Sequence, residues 1–90
     1  PTLEPAWPNP FNPAVNLSLA VPRAGHVRLA IFDLRGRCVR TLVDDACSAG
    51  RQTLVWNGRD ESGRSVASGV YFARLCHADG TSTQKLLLAK

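Results

Sequence analysis

From Val15 onward the apolar positions fall on every second residue. Val15, Leu17, Leu19 and Val21 share one side of the chain, and Val27, Leu29 and Ile31 repeat the pattern. Successive side chains of a strand point to opposite faces, so this spacing predicts strands with one buried face. Leu34-Arg35-Gly36-Arg37 supplies a tight turn before a strand carrying Val39 and Leu42, and the three-residue step between those two predicts a β-bulge. Asp44 to Gly50 is expected to be a polar loop, Leu54 and Trp56 mark another strand, and Asn57 to Gly63 is turn chemistry. Val66 sits in a short segment of its own. The next strand runs from Gly69 to His77, with Tyr71, Ala73 and Leu75 on one face. Asp79-Gly80 signals a hairpin, and the last strand extends from Thr81 to about Ala89. There Leu86 and Leu88 point inward while Lys85 and Leu87 point outward.

Strands at this spacing, with no convincing helix between them, indicate an antiparallel sandwich or barrel. Its core is expected from Leu29, Ile31, Leu54, Trp56, Tyr71, Leu75, Leu86 and Leu88. Tyr71, two residues after Gly69, is placed to form a tyrosine corner, its ring in the core and its hydroxyl on a nearby backbone group.

The prolines lie within the first 22 residues and the glycines from Gly25 onward, which divides the chain into a lead-in and a body. Proline lacks the amide a helix needs and disfavours helical geometry in the residue before it. Residues 1–13 therefore read as a proline-rich lead-in or linker and residues 14–90 as the sandwich domain, with Trp7 and Phe11 expected to pack on the body.

Ninety residues make one domain of modest stability. A chain that begins at Pro1 and contains no methionine is expected to be a piece of a larger protein. It has no apolar run approaching the roughly 20 residues that span a bilayer, so membrane insertion by this domain is not expected. The formal charge of +4 comes from arginines scattered among Asp33, Asp44, Asp45, Asp60 and Glu61. That scatter suits solvated strand faces better than a nucleic-acid interface.

Cys38, Cys47 and Cys76 lack CxxC spacing and allow at most one internal bridge. Cys38 and Cys47 are expected toward opposite ends of one strand, since extended residues 38 to 43 cover roughly 16 Å. Cys76 and His77 are strand neighbours and so face apart, which separates any thiolate from any base. His26 and His77 are expected to be exposed strand-end residues. Asp60, Glu61 and Ser62 lack the alternating oxygens and terminal glutamate of a helix-loop-helix calcium site, and read as a turn. Asn16-Leu17-Ser18 matches a glycosylation acceptor but lies inside a strand. Trp56 alone is too little for a sugar platform. No acid, base and nucleophile converge, so the expectation is a non-enzyme with no catalytic, cofactor or metal residues.

Several segments together resemble a known family. They are Pro8-Asn9-Pro10-Phe11-Asn12-Pro13, Ala24-Gly25-His26-Val27, Ile31-Phe32-Asp33-Leu34-Arg35-Gly36-Arg37 and Ala49-Gly50-Arg51, followed by Val55-Trp56-Asn57-Gly58-Arg59-Asp60, Ala67-Ser68-Gly69-Val70-Tyr71-Phe72 and Lys85-Leu86-Leu87-Leu88-Ala89-Lys90. From about Trp7 to Lys90 the chain resembles the type A C-terminal sorting domains of proteins exported by the type IX (Por) secretion system. These are close to the immunoglobulin-like domain of flagellar hook-capping proteins. The cysteines depart from the usual pattern. The resemblance implies an all-β, immunoglobulin-like antiparallel β-sandwich of about seven strands. It also implies a secreted or cell-surface location by way of the periplasm, an upstream cargo domain in the same polypeptide, and secretion and surface-attachment proteins as partners. Lys85 and Lys90 are the sorting or interaction candidates. A structural or binding module, in hook-capping-like assembly or glycan binding, is the alternative.

Overall fold

A computed structural model describes residues 2–90; Pro1, the first residue of the expected lead-in, lies outside the described residues. Among the described residues seven strands are present: β1 (Thr2–Leu3), β2 (Val15–Val21), β3 (Gly25–Asp33), β4 (Cys38–Cys47), β5 (Gly50–Trp56), β6 (Gly69–His77) and β7 (Gly80–Leu88). They form two antiparallel sheets, ordered β1-β2-β5 and β4-β3-β6-β7. The architecture is an immunoglobulin-like sandwich, and no helix occurs among the described residues.

The alternating positions supply the interior. Val15, Leu17, Leu19 and Val21 from one sheet meet Val27, Leu29, Ile31, Ala73, Leu75, Leu86 and Leu88 from the other, all buried. Trp56 is fully enclosed; its ring lies 5.3 Å from that of Tyr71 and 5.7 Å from that of Phe11. Its Nε1 donates to Arg59 O at 3.0 Å, so the indole's one polar group is satisfied. Tyr71 forms the expected corner, its hydroxyl donating to Ala67 O at 2.6 Å. Leu54 departs from expectation: it is only half-buried and packs against the edge of the core.

Strand β4 carries the bulge anticipated between Val39 and Leu42, and carries it twice. Ala30 pairs with Thr41 while Leu29 pairs with Val43, leaving Leu42 unopposed; Ile31 pairs with Arg40 while Phe32 pairs with Cys38, leaving Val39 unopposed. Each extra residue resets the alternation, so Val39, Leu42 and Val43 all lean on the core, which strict period two forbids. The strand then continues through Asp44, Asp45 and Ala46 to Cys47, where a polar loop was expected. It is an edge strand, and an edge tolerates charges because only one of its sides is paired.

The strand count matches expectation, but its membership does not. The segment at Val66 contributes only an isolated bridge beside it, Arg59 to Ser65, while the seventh strand is Thr2–Leu3, paired with Ala20 and Leu19. The lead-in lies along the sandwich. Leu3 and Phe11 are core residues at 2% exposure each, whereas Trp7, expected to pack, is 48% exposed. Gly58 fixes the lead-in from the other side. It adopts φ 72°, and a Cβ there would stand 3.0 Å from Pro13 O, so a side chain would be both strained and crowded.

Candidate functional site

The sorting candidates lie on and just after β7. In this strand Leu86 and Leu88 are buried while Lys85 and Leu87 face outward. The outer edge of β7 is occupied by the chain's own lead-in. Asn9 acts as a peptide group on a side chain: its Nδ2 donates to Lys85 O at 2.9 Å and its Oδ1 accepts Leu87 N–H at 3.0 Å. Two residues later the backbone takes over, with Phe11 N donating to Leu87 O at 2.9 Å and Ala89 N donating to Phe11 O at 3.0 Å. Nearer the start of β7, Leu3 N donates to Ser82 Oγ and Gln84 Nε2 donates to Leu3 O, each at 3.0 Å. The proline run therefore covers the edge with few amides of its own, a strand cover that does not propagate as a strand.

The two lysines have different surroundings. Lys85 projects from the outer face of the four-stranded sheet with no ion-pair partner among the described residues. Lys90 folds back instead: its backbone amide donates to Ser68 Oγ at 3.1 Å, and its Nζ donates to Ser65 Oγ at 2.9 Å and to Val66 O. Lys90 thus fastens the tail to the segment that precedes β6.

Asp33 and Asp60 begin two loops of one design, Asp33-Leu34-Arg35-Gly36-Arg37 and Asp60-Glu61-Ser62-Gly63-Arg64. In each, the aspartate Oδ1 accepts the amides of the residues two and four further on, at 2.9 and 3.0 Å. The glycine takes a positive φ, 84° and 80°, and donates its N–H back to the aspartate carbonyl. Asp60 Oδ1 is therefore committed to its own turn. Glu61 extends the loop onto β4, where its N–H donates to Val39 O at 3.2 Å and its Oε1 accepts Thr41 N–H at 2.5 Å. These are backbone groups beside the bulges. Both loops line a groove of about 420 Å³ with Val39, Val66 and Tyr71. The Arg37 amide, helped by its guanidinium, holds the Asp33 carboxyl below the usual carboxylate range despite some burial. Burial, with the Asp33 charge behind it, raises the Tyr71 phenol.

The remaining chemistry-bearing residues stay apart. His26 Nε2 meets Asp44 Oδ1 at 2.5 Å in the open. His77, expected to be exposed, has a side chain only 3% accessible. It is held between Arg23 O, 3.2 Å from Nε2, and Asp79 N–H, which donates to Nδ1 at 3.2 Å. Those contacts specify the tautomer with the proton on Nε2. Cys38 and Cys47 stand at opposite ends of β4, and all three thiols are free. Among the described residues no group of three His, Cys, Asp or Glu side chains is arranged to hold a metal. Asn16 of the glycosylation motif spends its side-chain amide on Trp7 O at 2.9 Å, and Ser18 is buried against Thr53, 2.8 Å between hydroxyls.

Residues 11–80 match the family model described as the FlgD Ig-like domain. Among solved structures, the chain is similar to FlgD from P. aeruginosa, with 27% identity, a TM-score of 0.64, and coverage of 82% of this chain and 60% of that one. It is similar to FlgD from Xanthomonas campestris, described in connection with hook capping essential for flagellar assembly, with 29% identity, a TM-score of 0.56, and coverage of 82% and 54%. It also shares its fold with part of PorZ, an essential bacterial surface component of the type-IX secretion system of Porphyromonas gingivalis. That match has 20% identity, a TM-score of 0.69, and coverage of 98% of this chain but 11% of that one. A comparison with curated protein sequences returned no match. The chain spans less than two thirds of each of these structures.

Proposed function

Because this chain belongs to the FlgD Ig-like domain family, we propose that it is a non-catalytic module of a secreted bacterial protein, acting as the C-terminal sorting signal for export and surface attachment of its cargo. Secretion and attachment proteins are its partners, and the cargo is an upstream domain of the same polypeptide. No bond is made or broken by the module itself. The observation that supports this reading is the extent of the likeness. The fold shared with the type-IX secretion component takes in 98% of the chain, against 82% for the hook-capping structures. The ordered sequence landmarks from Pro8 to Lys90 support it as well.

The experiment is a fluorescent cargo fused ahead of this domain, expressed in a bacterium with the type IX machinery and in its deletion strain. Surface fluorescence only where the machinery is present is the expected result. A folded fusion retained in the periplasm of both strains would sink the sorting role. It would favour the second reading, a structural module of hook-capping type, which the family match supports directly.

A further inference from the structure

The two outward faces of the sandwich differ in chemistry. On the three-stranded sheet the outward positions of β2 and β5 are small or neutral: Asn16, Ser18, Ala20, Thr53 and Val55, with Arg51 tied to Glu4 at 2.5 Å. On the four-stranded sheet, register places Cys38, Phe32, Phe72 and Lys85 in one row across the strands. The next row along holds Thr41, Ala30, Arg74 and Thr83, and the one beyond it Asp44, Arg28, Cys76 and Thr81. Ala30 points outward yet has no exposure, so its larger neighbours close over it. Leu87, 39% exposed, lies in the row adjoining the aromatic one, beside its cross-strand partner Val70. Val70 also borders a groove of about 410 Å³ lined by Leu34 and Arg35, and Leu34 is 72% exposed.

Charge adds to the difference, although Arg35, Arg59, Arg64 and Lys90, in the loops and the tail, also lack ion pairs among the described residues. Arg23, Arg37, Arg40 and Arg51 are each paired with a carboxylate elsewhere. Arg28, Arg74 and Lys85 have no ion pair among the described residues, and the one acid on their face, Asp44, engages His26. Arg28 lies over the Phe32 ring, 5.8 Å from its centroid, so a cation and an aromatic face are presented together. Arginine with aromatic side chains is the composition of interface centres, and unpaired cations around them select an acidic partner.

We propose that this face docks an acidic protein segment bearing an aromatic or aliphatic anchor. The anchor packs on Phe72 and Leu87, and the carboxylates of the segment pair with Arg28, Arg74 and Lys85. This deepens the sorting reading by giving the chemistry of the surface that recognises the domain, and rests on that reading for where the partner is met. Docking is tested in solution and export in cells, so either can fail alone.

The probe is a short synthetic peptide alternating Glu with Phe and Leu, titrated into the isotopically labelled chain and followed by amide chemical shifts and by fluorescence anisotropy. Expected are shifts centred on Phe32, Phe72, Arg74, Lys85 and Leu87, and binding that weakens with salt. Arg74→Glu with Lys85→Glu is expected to weaken it by about tenfold or more, and Leu87→Ser, with every charge kept, by several-fold. Unchanged dispersion of the amide spectrum shows that these exposed variants fold. No binding at millimolar peptide, shifts on the three-stranded sheet, or indifference to the charge reversal would overturn the proposal. Equal binding of dextran sulfate or phosphatidylglycerol vesicles, unaffected by Leu87→Ser, would overturn it in favour of a general polyanion site. Concentration-dependent self-association through the face without peptide binding would assign the face to a second copy instead.

Discussion

Asn9 and Leu87, at opposite ends of the sequence, are joined as two strands would be, the Asn9 Oδ1 accepting the Leu87 amide at 3.0 Å. The same side chain takes Lys85 O through its Nδ2. Asn9→Ala removes both bonds and is expected to cost about 1 to 2 kcal/mol, since each hydrogen bond contributes about 0.5–1.5 kcal/mol net. It also frees part of the β7 edge, so association at high protein concentration is expected to accompany the loss. Urea unfolding and light scattering measure the two effects. An unchanged midpoint would show that water replaces the side chain at no cost.

Phe11 behaves as a core residue although it belongs to the lead-in. Phe11→Ala is expected to destabilise by about 3–5 kcal/mol, as for buried aromatics generally, and Trp56→Ala by a similar amount. A domain of this size has only about 5–15 kcal/mol in total, so either variant is expected to unfold at a much lower temperature and denaturant concentration than the parent chain. Calorimetry of the two variants checks this, and a loss below about 1 kcal/mol for Phe11→Ala would return the lead-in to the status of a loose linker.

The pH dependence has opposite signs at the two extremes. Asp33 is held low by the Arg37 amide, and Asp79 is held low chiefly by its hydrogen bond from Arg23. The stability these carboxylates contribute is present above their ordinary pKa of about 3.9 and is lost as pH falls through their folded values. Tyr71 is raised by burial, so its contribution is present below about 10 and is lost as pH rises through its folded value. Tyr71→Phe is expected to flatten the alkaline fall and to cost about 0.5–1.5 kcal/mol at neutral pH. Denaturant midpoints across the pH range decide it; an alkaline limb identical in the variant would assign that limb to another group.

Gly58→Ala is expected to destabilise by about 1–2 kcal/mol from the left-handed backbone alone, with the contact to Pro13 O adding to it. Gly36→Ala has the same kind of φ, 84°, but open space around the added carbon. The difference between the two variants therefore isolates the crowding against the lead-in. Equal losses would show that Pro13 moves aside.

Strands with a buried face were legible because alternation is set by burial, and burial covers nearly the whole length of β2, β3 and β6; in β7 it reaches only Leu86 and Leu88. The bulge was legible for the same reason: Val39 and Leu42 both need the core, and their spacing cannot serve it without an extra residue. Strand β1 was not, since two residues before a proline carry no period. Strand β4 beyond Val43 was hidden by its acids, which an edge accepts. His77 was misplaced because the groups enclosing it, Arg23 O and Asp79 N–H, come from backbone in two turns. The paired loops were open to discovery: Asp-x-x-Gly-Arg occurs at 33–37 and again at 60–64. The aromatic and cationic face could be read only after register had aligned Phe32, Phe72 and Lys85 from three separate strands. Of the sorting candidates, the outward direction of Lys85 was legible from alternation, whereas the anchoring of Lys90 depends on serines more than twenty residues away.

The bridge between Phe11 and Leu88 is parallel, whereas every pairing between named strands is antiparallel. The lead-in and β7 run in the same direction, so tension applied between the two ends of the chain pulls them past one another. It loads the bonds at Asn9 and Phe11 together, in shear, and does not peel them one at a time. Force applied to the two ends therefore strains a shared set of bonds, and the domain resists being drawn open from them.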